Sequence, residues 1–173
     1  MIQKQSSTTK LRIVFDGSTR QLKSNSLNDC LYKGANIGTE SVAQLLRFRL
    51  GRFVILADIQ EAFLQISVNE ADRDFTRFLW VDNDGDVVSY RFARVPFGLS
   101  CSPYLLNATI RHHLLINDAP VQNCFYVDDM ILTAKNEEDA QLQATRMKQL
   151  MECREFTLRK WSSNCMSLAT IQN

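Results

Sequence analysis

No two cysteines of this 173-residue sequence stand in a C-x-x-C spacing, and their total of five is odd. That pattern argues against a disulfide framework and for reduced thiols inside a cell. No apolar run approaches the eighteen or so residues of a membrane span, and the N-terminal MIQKQSSTTK lacks the apolar stretch of a signal peptide. An excess of charge of either sign is also missing, with 20 basic against 19 acidic side chains and a net charge of +1. A polyanion would therefore have to be gripped by local basic clusters and not by global charge. There is no GKS or GKT phosphate-binding loop, no internal repeat and no low-complexity tract. The expectation is a soluble intracellular chain that does not cross a membrane.

What is present is globular composition, 45% apolar and 23% charged. A chain of this length buries roughly 70% of the surface its unfolded form exposes, enough for a sizeable core. Residues 11–15 (LRIVF) read as a short strand closed by the turn Asp16-Gly17-Ser18, and residues 19–40 favour loop. Ser41 opens a helix with Val42, Leu45, Leu46 and Leu50 on one face, and Gly51 stops it. FVILA (53–57) suits a strand buried on both faces and runs straight into Asp58. Residues 75–81 and 87–92 predict a hairpin around the loop Asp82-Asn83-Asp84-Gly85-Asp86. Ser102 as N-cap and Pro103 at the first helical position begin a helix to about Ile116. Two apolar runs, 121–127 and 130–134, surround Asp128-Asp129; Asn136 caps a helix to about Cys153; FTLRKW (156–161) reads as a last strand. This order lacks the regular alternation of a doubly wound sheet and predicts an α+β fold, an antiparallel sheet with helices on one face.

An ionised carboxylate beside apolar strand residues is costly unless something pairs with it, so Asp58 and Asp128-Asp129 need partners. If the two segments are neighbouring strands, their carboxylates meet at one end of the sheet and can hold two Mg²⁺ ions through oxygen ligands. That arrangement suits nucleotidyl transfer. Plainer explanations exist for each piece. A chain with this many aspartates is expected to hold an adjacent pair by chance, and Asp58 with Glu61 matches the spacing of a helix capping box.

The ordered set LADIQEAF (56–63), YRFARVPFGLSCSPYLLNATI (90–110) and YVDD (126–129) resembles the polymerase motifs of retroelement reverse transcriptases. The likeness extends from RIVFDGS (12–18) to LRKWSSN (158–164), and its phrasing is most similar to Bel/Pao-type LTR retrotransposons. The resemblance implies a polymerase palm over residues 53–173 and a partial fingers region over 1–52, with the thumb and RNase H falling outside the chain. It makes Asp58, the Ile59 backbone carbonyl, Asp128 and Asp129 the ligands of two Mg²⁺ ions, with Mn²⁺ as a substitute. It further implies that Phe63 is the aromatic gate against a 2′-hydroxyl, and that Phe97 and Gly98 flank the incoming nucleotide and template. Arg12 matches a triphosphate-binding finger arginine, and Lys160 falls near a lysine proposed as general acid toward pyrophosphate. The implied activity is RNA-directed DNA synthesis from dNTPs on a primed RNA or DNA template, in the cytoplasm within a retrotransposon particle. The alternative is a catalytically silent remnant that binds nucleic acid or serves assembly. An RNA-dependent RNA polymerase is disfavoured by Phe63 and by Val127.

Three other features carry plainer readings. Asp82, Asp84 and Asp86 imitate the start of a calcium loop, but position 87 is Val and position 93 is Ala, so a hairpin turn is expected. His112 and His113 are adjacent on a helix and point apart, which makes them poor zinc co-ligands. Arg47, Arg49 and Arg52 could meet template phosphates but fit a solvated helix face better.

Overall fold

The computed structural model describes residues 13–35, 41–117 and 124–168. The chain divides into two compact units, Met1–Gly34 with Phe63–Pro103 and Ala35–Ala62 with Tyr104–Asn173. The second contains a four-stranded antiparallel sheet in the order β4-β5-β1-β6, formed by Phe125–Tyr126, Asp129–Ala134, Phe53–Ile59 and Leu158–Ser163. β1 is central, and its burial alternates: Ile55, Ala57 and Ile59 are buried while Val54, Leu56 and Asp58 are half-buried. This period of two is the signature of one covered face. The five-residue apolar run therefore does not mark a strand buried equally on both sides.

Helix α4 (Glu137–Glu152) packs against β1, β5 and β6. Its buried residues Ala140, Ala144, Met147 and Met151 recur at three and four and so form one helical face. Small side chains at 140 and 144 let the helix lie close, and each fully buried Met contributes about 1.5–3 kcal/mol. The helix starts where expected, because the Asn136 side chain accepts from the Asp139 amide at 2.8 Å and three acidic residues occupy the first turn. Helix α3 (Ser102–Ile116) buries Leu106, Ile110, His113 and Leu114. Ser102 does not act there as the expected cap: its hydroxyl donates to the Pro96 carbonyl at 2.8 Å, tying the helix start to the preceding loop.

In the first unit, β2 (Arg77–Val81) and β3 (Val87–Arg91) form the hairpin. The Asp82 carboxylate accepts from the amides of Asp84 and Asp86, and these bonds close the loop. Phe15, Phe92, Phe78 and Tyr90 run as a chain of ring contacts with centroids 5.0–6.0 Å apart. The strand expected over 11–15 lies partly outside the described residues; within them Val14 forms a single parallel bridge to Phe97.

Two local expectations need correction. The loop predicted over 19–40 contains a short helix, α1 (Leu27–Cys30), started by a capping box between Ser26 and Asp29. Helix α2 (Ser41–Phe48) forms, but Val42, Leu45, Leu46 and Leu50 are exposed, and Gln44 is the buried residue. Periodicity identifies the apolar face of a helix without fixing what covers it.

Candidate active site

Asp58 is the penultimate residue of β1 and lies inside the strand, because pairing continues on both sides of it. Opposite it on β5 is Asp129, and side chains directly opposed in an antiparallel pair share a face, with Cβ atoms about 4.5–5.5 Å apart. One residue further along β1, the Ile59 amide donates to the Asp128 carbonyl at 2.9 Å, and the Ile59 side chain is buried. The β4–β5 turn thus abuts the end of β1, and backbone pairing alone brings Asp58, Asp128 and Asp129 to one sheet end. The turn is tight: Val127 has φ 57, a left-handed conformation that a β-branched residue rarely adopts but that two-residue hairpins require. Strain of this kind persists where the surrounding structure enforces it.

The electrostatics reflect the crowding. The Asp129 carboxyl is held above the usual carboxylate range, first by burial and then by the charges of Asp128 and Asp58, with Lys160 opposing. Asp58 is compensated by two cations of β6. Arg159 Nε donates to Oδ1 at 2.9 Å and Lys160 Nζ to Oδ2 at 3.1 Å. These contacts replace the capping-box explanation of Asp58, whose oxygens face a neighbouring strand.

Hard carboxylate oxygens converging on one sheet end suit a small divalent cation in kind. The two Asp58 oxygens are engaged by Arg159 and Lys160, and among the described residues no three acidic, His or Cys side chains stand at common metal-binding distance. The donor set fits in kind, and of its three carboxylates Asp58 is the one paired with the protein's own cations.

The profile of the family described as reverse transcriptase (RNA-dependent DNA polymerase) matches residues 3–165. The chain belongs to the reverse transcriptase family. It is 31% identical over 121 residues to the retrovirus-related Pol polyprotein from transposon 412 of Drosophila melanogaster, a match covering 68% of this chain and 9% of that polyprotein. The chain therefore spans only a small part of that relative's length. Among solved structures, the native prototype foamy virus protease-reverse transcriptase superposes with a TM-score of 0.63 at 22% identity, covering 77% of this chain and 17% of the other. That likeness bears on the fold, and it agrees with the mixed helices and antiparallel sheet seen here.

The remaining residues singled out by the reverse transcriptase motifs are distributed as follows. Phe63 lies in a 3-10 turn (Ala62–Gln65), and its ring meets that of Phe97 edge to face, centroids 5.0 Å apart. Gly98 has φ 103, and a Cβ there would come within 1.8 Å of the Phe15 carbonyl oxygen. Lys160 is beside Asp58, as described, and Arg12 lies outside the described residues. Arg47, Arg49 and Arg52 are exposed, with Arg52 over the Phe53 ring at 5.6 Å. His112 is exposed while His113 is buried, its Nε2 2.6 Å from the Leu150 carbonyl; the two do point apart.

Two residues escape sequence reasoning. Arg159 precedes Lys160, and strand alternation would send these neighbours to opposite faces. A bulge in β6 changes this: between Asp58 and Leu56 the partners advance from Arg159 to Ser162, one residue more than on β1, and Lys160 takes φ 52. Asn28 is the other. Its amide donates to Gly98 O and to Ser18 Oγ, each at 2.9 Å, and accepts from the Ser100 amide at 2.8 Å. The short capped helix that carries it is the only sequence signal for this role.

Proposed function

We propose that this chain is the catalytic part of an LTR-retrotransposon reverse transcriptase of the Bel/Pao type, adding dNTPs to a primer 3′-hydroxyl on an RNA or DNA template. The reading is carried by the gathering of Asp58, Asp128 and Asp129 at one end of the β1–β5 pair in a chain of this family. In the same reading, residues 53–173 supply the palm and 1–52 part of the fingers. The Bel/Pao assignment rests on the phrasing of the motifs.

Asp58, Asp128 and Asp129, with the Ile59 carbonyl, would hold Mg²⁺, for which Mn²⁺ can substitute. The bound ions supply activation of the primer hydroxyl and charge neutralisation at the pyrophosphate. The protein's own groups do the rest. The ring of Phe63, supported by Phe97, leaves no room for a 2′-hydroxyl on the incoming sugar. Phe97 and Gly98 flank that nucleotide and the template. Arg12 offers its planar fork to the triphosphate oxygens. Lys160, whose ammonium lies 3.1 Å from Asp58, delivers a proton to departing pyrophosphate in this reading. Among the described residues no helix is long and apolar enough to cross a membrane, in keeping with work in the cytoplasm inside a retrotransposon particle.

Primer extension tests the reading. The chain, alone and continued into the thumb of a related Pol polyprotein, is expected to extend a primed RNA template with dNTPs. Asp128→Asn is expected to lower the rate at least a hundredfold, because charge stabilisation of this kind is among the larger catalytic contributions. Synthesis that survives Asp128→Asn, or no incorporation by the chain with or without the added thumb, would overturn it.

A further inference from the structure

Asp58 accepts from two cationic side chains that are adjacent in sequence, an arrangement regular strands forbid because neighbouring side chains point to opposite faces. It arises from the β6 bulge, where Lys160 takes φ 52, a conformation that L residues rarely adopt. Arg159 and Asp58 are both well shielded, at 22% and 21% side-chain exposure, whereas Lys160 is 53% exposed. The sheet thus bends locally in a way that turns both cations onto a single carboxylate. Strained backbone at a site is commonly retained for what it positions.

We propose that Arg159 and Lys160 form a cation clamp that holds Asp58 and competes with a divalent cation for its oxygens. Arg159 is the dominant member because it is the shielded one. This rests on the reading of Asp58 and Asp128 as cation ligands. It makes Arg159 a positioning residue: it keeps Asp58 ordered at the sheet end, and it sets how much divalent cation is needed to take that carboxylate over.

The test is Mn²⁺ binding to the full 173-residue chain, followed by electron paramagnetic resonance of free Mn²⁺. Wild type is expected to bind at a site lost in Asp128→Asn. Arg159→Met is expected to bind about tenfold more tightly, the lower end for loss of one charge-assisted hydrogen bond after discounting solvent screening. Lys160→Gly keeps the bulge conformation, removes the ammonium and is expected to tighten binding less. Arg146→Met, which removes an exposed positive charge from α4, is expected to leave the affinity within about twofold. Asp128-dependent binding that Arg159→Met leaves unchanged would overturn the clamp and spare the metal site. Absence of such binding in wild type, Arg159→Met and Lys160→Gly alike would overturn both.

A second readout follows the metal response of the wild-type chain itself. The Arg159 Nε–H resonance of wild type, identified by its absence in Arg159→Lys, is expected to shift on adding Mg²⁺ as the bond to Asp58 is released. A resonance unmoved by Mg²⁺ that saturates the site would overturn the clamp.

Discussion

Replacing Gly98 by alanine separates two costs that usually occur together. With φ 103, position 98 is in a region that costs a residue with a side chain of order 1–3 kcal/mol. The added Cβ would also come within 1.8 Å of the Phe15 carbonyl oxygen, a backbone atom that cannot swing aside. The loop must therefore move, weakening the 2.8 Å bond from the Phe15 amide to the Phe97 carbonyl, which contributes about 0.5–1.5 kcal/mol. Together these give roughly 1.5–4.5 kcal/mol, or at the midpoint a fall in Tm of about 9 °C for a chain of this size. Gly85 is the control, with φ 89 and nothing within 4 Å of an added Cβ. Gly85→Ala carries only the conformational cost and on the same scale should lower Tm by about 6 °C. Thermal unfolding followed by circular dichroism measures both. Equal shifts for the two variants would refute the close-approach argument. A wild-type-like Gly98→Ala would refute the described position of the loop.

Further outcomes are expected elsewhere. Burial pushes the Cys124 thiol up to about 12, whereas Cys30 and Cys153 are exposed. Iodoacetamide at about pH 8 should therefore label Cys30 and Cys153 in the native chain and Cys124 only after denaturation, as peptide mass spectrometry would show; early labelling of Cys124 would contradict its burial. Asp74 is held below the usual carboxylate range by hydrogen bonds from Arg91 and then Arg77. A depressed folded-state pKa contributes stability that is present above the ordinary value of 3.8 and lost as pH falls through the folded value. Asp74→Asn should flatten that acid-side loss in a Tm-versus-pH series, and an unchanged slope would remove the assignment.

What the sequence makes legible is whatever depends on local pattern. The apolar run before Asp58, the turn between β2 and β3 and the Asn136 cap each carry their own signal, and each element forms near its expected place. Asp58, Asp128 and Asp129 are legible for a different reason, since an ionised carboxylate beside apolar strand residues demands partners wherever it folds. Long-range consequences are not legible. The Asn28 bridge joins segments seventy and more residues apart, and the Arg159–Asp58 pair depends on a bulge that no residue type announces, a lysine having taken a glycine-like conformation. The exposed leucines of α2 make the same point from the other side: the pattern is correct, but the covering surface is not written in it.

In the proposed reading, Asp58 and the Asp128-Asp129 pair give up oxygens to one divalent cation site when the ion binds. Cleavage by hydroxyl radicals generated from Fe²⁺ in place of Mg²⁺ tests it most directly, because cuts fall next to the bound ion. Paired backbone cuts are expected around residue 58 and around residues 127–129, both suppressed by excess Mg²⁺ and both lost in Asp58→Asn and in Asp128→Asn. Cuts at only one of the two segments, or a pattern that either substitution leaves unchanged, would contradict it.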